Sequence, residues 1–72
     1  MAKITTTRRE AARRILVNSA KYDAGTMQIN SDGYVTAKHD ADKTMHGPAI
    51  TRYIVAHIDD MVTVDGTIRD GF

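Results

Sequence analysis

The sequence predicts a small α+β domain, and three observations predict it. An amphipathic stretch follows a run of threonines, an alternating apolar pattern doubles back across a Ser-Asp-Gly turn, and a second amphipathic stretch follows a Gly-Pro pair. Helix, hairpin, helix in a chain of 72 residues leave room for one domain, residues 1–72. A chain this short buries only about 60 % of the surface its unfolded form exposes, so the core is expected to be thin. With no cysteine, neither a disulfide nor a thiolate zinc site can reinforce it.

Residues 1–5 read as a flexible, extended arm. Thr5, Thr6 or Thr7 can cap a helix, and Glu10, three residues after Thr7, completes a capping box. From there to about Lys21 the pattern is helical. Ala11, Ala12, Ile15, Leu16 and Ala20 share one stripe, with Glu10, Arg13, Arg14 and Lys21 on the other side. The helix is expected to end near Tyr22-Asp23-Ala24-Gly25, with Gly25 left-handed.

The hairpin comes next. Thr26–Asn30 alternates, Ser31-Asp32-Gly33 supplies the turn, and Tyr34–Lys38 is rich in strand formers. Met27, Ile29 and Val35 or Tyr34 would face the first helix. Residues 39–47 are polar and without period, a loop. Gly47-Pro48 then opens a second helix, with Ile50, Ile54, Ile58 and Met61 on one face and Arg52, Ala56 and Asp59 opposite. Val62-Thr63-Val64, Asp65-Gly66 and Thr67-Ile68-Arg69 suggest a short terminal hairpin with a two-residue turn, and 70–72 is a tail carrying Phe72.

At 42 % hydrophobic and 26 % charged, the composition argues for a folded chain. No run approaches the length of a signal peptide core or a membrane span, so a cytoplasmic protein is expected. The net charge of +1 conceals a division. Residues 1–36 carry six Lys/Arg against three Asp/Glu, net +3, and residues 37–72 carry four against six, net −2. Such a dipolar molecule suits docking onto a patterned surface better than coating bare nucleic acid.

Nothing in the sequence has the spacing of a catalytic centre, and neither an enzyme nor a cofactor is expected. Ser19 and Ser31 lack a nucleophile elbow, and no glycine loop is built for phosphate. His39, Asp40, Asp42 and His46 are the residue types that bind divalent metals, but their spacing fits no established site, and a solvated loop explains them. His57 lies beside the apolar stripe, where a partly buried packing role is expected. Tyr34 and Tyr53 read as half-buried.

The sharpest functional feature is basic. Arg8, Arg9, Arg13 and Arg14 crowd the start of the first helix, with Lys3 nearby. Arginine forks onto carboxylate or phosphate, so these five residues are the candidate macromolecule-binding set. The competing reading is a solvated face partly paired with Glu10. Direct duplex binding is less well supported, because the second helix would bring Asp59 and Asp60 toward phosphate.

Small size, absence of cysteine, two basic pairs in an N-terminal helix, an acidic second half and the Met1-Ala2-Lys3-Ile4-Thr5-Thr6-Thr7-Arg8-Arg9-Glu10 start resemble bacteriophage host-takeover proteins. The closest likeness is to the RNA-polymerase-binding transcription regulators known from a Xanthomonas phage. That resemblance implies a partner, bacterial RNA polymerase, with sigma displacement, inhibited initiation and antitermination as the outcome. A sequence-specific DNA-binding repressor or excisionase-like protein, and an inhibitor of a bacterial defence complex, remain the alternatives.

Overall fold

The computed structural model describes residues 3–40 and 52–72. Helix α1 runs Thr6–Ser19. Thr5 caps it, its hydroxyl accepting from the Arg8 amide at 3.1 Å. Because the cap is Thr5, Glu10 lies too far along the helix to answer it, and the expected capping box does not form. The helix also stops earlier than expected. Ala20 turns left-handed, with φ 58°, and ends it, a conformation that costs an alanine about 1 kcal/mol and that glycine normally adopts. Gly25 instead sits in a 3-10 turn, Ala24–Thr26, capped by the Asp23 carboxylate.

The hairpin forms where the turn chemistry places it, as β1, Gln28–Ile29, and β2, Tyr34–Lys38. The Asn30 side-chain oxygen accepts from both the Asp32 and Tyr34 amides at 3.0 Å, and Gly33 takes φ 93° to close the loop. Val35 and Ala37 point into the core, whereas Tyr34 is largely exposed on the opposite face. Of the two candidates for the helix-facing position, Val35 fills it.

The second helix differs from expectation. Arg52–His57 is a strand, β3, antiparallel to β2 in a sheet of order β1-β2-β3, and only Ile58–Met61 is helical, as α2. Gly47, Pro48 and Ile50 lie outside the described residues. The isoleucine spacing fits a helix, but Tyr53-Ile54-Val55 is an aromatic and β-branched run, and the β2 edge offers it a full ladder of partners. A bulge on β3 lies opposite the Val35/Thr36 step, which pairs Val35 with Ala56 and Thr36 with Ile54. The strand therefore carries Ile54 onto the open face of the sheet, where it is 65 % exposed.

The last segment closes on itself through a bridge between Val62 and Ile68. The Gly66 amide donates to the Thr63 carbonyl and the Thr63 amide to the Thr67 carbonyl. The turn is therefore one residue longer than expected, Val64-Asp65 followed by a left-handed Gly66 at φ 94°. A side chain at Gly66 would meet the Thr7 methyl at 2.5 Å, so the turn packs tightly against the start of α1.

One core joins these pieces. Ala11, Ala12, Ile15 and Leu16 of α1 meet Met27, Val35, Ala37, Ile58, Met61 and Val62, with Ile4, Tyr22 and Ile29 packed around them. Each large side chain buried this way contributes roughly 1.5–3 kcal/mol. The arm is anchored from Lys3 onward: Ile4 is half-buried and the Lys3 carbonyl accepts a hydrogen bond from Arg8. His39 and Asp40 continue from β2 alongside Tyr22 and Lys21, whereas Asp42 and His46 of the candidate metal loop lie outside the described residues. Among the described residues no helix is long and apolar enough to cross a membrane.

Candidate macromolecule-binding face

The helical period of α1 divides its four arginines. Ala11, Ala12 and Ile15 define the buried stripe, and Arg8 stands three, four and seven residues before them, on that same stripe. Arg13 and Arg14 fall on the opposite side, with Arg9 at its flank.

Arg8 is accordingly buried, at 2 % exposure, and every hydrogen bond of its guanidinium is made inside the protein. Nε donates to the Thr63 carbonyl at 3.0 Å and Nη1 to the Lys3 carbonyl at 2.7 Å. Nη2 donates both to the Val62 carbonyl at 2.9 Å and to Asp59 Oδ1 at 2.7 Å. This corrects its place in the candidate set. A guanidinium that ties arm, α1, α2 and terminal turn together spends four of its five donors inside the protein and, at this burial, presents no face to a partner. Asp59 faces outward as expected, and from there one of its carboxylate oxygens serves as the counter-charge of Arg8. The Arg8 hydrogen bond holds the Asp59 carboxyl below its ordinary value of 3.8, helped by the charges of Arg8, His57 and Arg69 and opposed by desolvation.

Arg9, Arg13 and Arg14 are exposed, with Thr6, Glu10 and Val17 between and beyond them. Their side chains border a shallow depression of about 410 Å³ whose lining comes entirely from α1. None of the three arginines forms an ion pair or side-chain hydrogen bond with another described residue. The partial pairing with Glu10 expected of a solvated face is not formed. Lys3 is exposed on the arm just before the helix, held there through its own carbonyl. Four of the five candidates thus remain on the surface, three of them on two successive turns of one helix.

The placement is electrostatically costly for the fold. The first turn of α1 contains no acidic residue, and the last contains no basic one, the reverse of what the helix dipole favours. A cation near the helix start is disfavoured by about 0.3–1 kcal/mol. Arg8 is compensated by Asp59, but Arg9 has no such partner.

The sheet's open face is of another kind. Tyr34 meets the His57 ring edge-on at 4.9 Å, Tyr53 meets His39 at 6.2 Å, and the Arg52 guanidinium reaches the Thr26 and Thr36 carbonyls. Among the described residues no group of three or more His, Cys, Asp or Glu side chains is arranged to hold a metal. Compared with protein-family models, curated protein sequences and solved structures, the chain has no match.

Proposed function

We propose that this chain is a non-catalytic regulatory module of bacteriophage type that docks through the outer face of α1 on bacterial RNA polymerase. The observation that carries the reading is the set of three exposed guanidiniums, Arg9, Arg13 and Arg14, without acidic partners among the described residues. Exposed arginines without internal counter-charges, on a rigid element backed by the core, with Arg9 also near the disfavoured start of the helix, are groups whose electrostatics can be completed by a partner. An acidic protein surface completes them well. Glu10 in the middle of the stripe would meet phosphate with like charge, whereas a protein surface of mixed sign accommodates it. Polymerase is the partner that the resemblance of the N-terminal segment names, and interference with initiation or termination is the activity it implies.

The test is a binding titration of the purified protein against bacterial core polymerase and holoenzyme, with the Arg9→Ala/Arg13→Ala/Arg14→Ala variant alongside. Loss of at least tenfold in affinity, with an unchanged melting temperature, is expected. Equal affinity of the variant would remove the basic face from the reading, and no binding by the parent chain would remove polymerase. A duplex titration runs in parallel. Three phosphate contacts would give a log K against log salt slope of about −2.7, and observing such a slope would transfer the face to DNA.

A further inference from the structure

We infer that His57 is a proton-operated cap, which holds the start of α2 when neutral and exchanges that backbone bond for a side-chain bridge to Asp59 when protonated. The ring is the N-cap of α2. Its Nδ1 accepts the Asp59 amide proton at 3.1 Å, and its Nε2 lies 2.8 Å from the Asp32 carbonyl in the β1–β2 turn. An amide can only donate and a carbonyl only accept, so this pair of contacts fixes one form: neutral imidazole, proton on Nε2, lone pair on Nδ1. The ring thereby joins three pieces of the fold, the hairpin turn, β3 and α2.

A second proton can enter only at Nδ1, where it turns the acceptor into a donor facing another donor. The cap bond is then lost. Asp59 Oδ2 lies 3.6 Å from the same nitrogen and becomes the available acceptor. Asp59 can answer without releasing Arg8, because Arg8 uses Oδ1 and leaves Oδ2 to the ring. The proton therefore moves the attachment of His57 from the backbone of α2 to the Asp59 side chain. α2 spans only four residues, and its Ile58 and Met61 are fully buried, so a change at its cap is felt in the core. The other groups near the ring are Tyr34, edge-on from β2, and Arg69, whose Nε donates to the Asp59 carbonyl at 2.6 Å.

The experiment is an NMR titration of the uniformly labelled wild-type chain from pH 8 to pH 5, the range in which imidazoles change charge. Ring nitrogen shifts report the tautomer, and the Asp59 amide reports the cap. At pH 8 the Nε2–H form is expected, with the Asp59 amide downfield. As pH falls, that amide should move upfield with the same midpoint as the His57 ring. An Nδ1–H tautomer at pH 8, or an Asp59 amide that ignores the ring titration, overturns the inference. Asp59→Asn reads the second half. The stability difference between wild type and the variant should widen as pH falls from 8 to 5, because only the carboxylate can bridge the charged ring. A constant difference would leave no bridge, and overturn that part.

Discussion

Replacing Arg8 by alanine should unfold much of what holds the two ends of this chain together. Four hydrogen bonds vanish, of which three go to backbone carbonyls and one to a carboxylate. The Val62 carbonyl bond is buried, so its acceptor is stranded at about 1–3 kcal/mol. The Lys3 and Thr63 carbonyls are partly accessible and recover most of their loss from water, at about 0.5–1 kcal/mol each. Asp59 is 54 % exposed, so water takes over from its lost partner and the pair adds far less than a buried one would. With the stem of the side chain gone as well, a total of about 3–5 kcal/mol is expected. A domain of 72 residues has roughly 4–11 kcal/mol in all. The melting temperature should therefore fall by about 12–40 °C, and the urea midpoint with it. Circular dichroism melts and urea titrations of Arg8→Ala, beside Arg13→Ala as the exposed control, decide the matter. The control should stay within about 0.5 kcal/mol of wild type. If the two variants melt together within a few degrees, Arg8 is not the internal tie described above.

Three other outcomes follow from the same geometry. Gly66→Ala should lose about 1–2 kcal/mol in urea titration, since φ is 94° and the new methyl would meet Thr7 at 2.5 Å. Ala20→Gly should gain about 0.5–1 kcal/mol, because glycine relieves the left-handed cap at φ 58°, and a variant no more stable than wild type would contradict that strain. Acid should remove the contribution of Asp59 in a defined direction: its folded carboxyl titrates below 3.8, so its stability is present above about pH 4 and lost as pH falls through the folded value. Asp59→Asn should flatten that part of a stability-against-pH curve.

How much of this could be read in advance depended on how local the deciding interactions are. The β1–β2 turn was legible because Asn30 to Gly33 contains its own chemistry, an Asx turn and a glycine for the left-handed position. Helix α1 was legible for a similar reason, with its cap and apolar stripe lying in adjacent residues. β3 was not. Ile54, Ile58 and Met61 fit a helical period as well as anything, and the competing pull comes from Thr36 and Val35, some twenty residues back in the chain. The basic face was partly legible. Counting arginines pointed to α1, but the count weighed Arg8 by its charge, while its spacing to Ala11, Ala12 and Ile15 already placed it inside. Its acceptors on Asp59, Val62 and Thr63 left no local mark at all. His57 was expected to pack rather than to act, and its cap depends on the hairpin turn reaching it.

Arg8 also bears on the order in which the molecule assembles. Three of its partners stand 51 to 55 residues away along the chain. Closing so large a loop costs entropy before any of those bonds can form, so they belong to the end of the folding reaction, after α1 and the hairpin have come together. Bonds absent from the transition state govern how fast the native chain comes apart rather than how fast it forms. The internal arginine is thus a brake on unfolding, and the lifetime of the folded chain under a fast protease would track the integrity of one buried guanidinium.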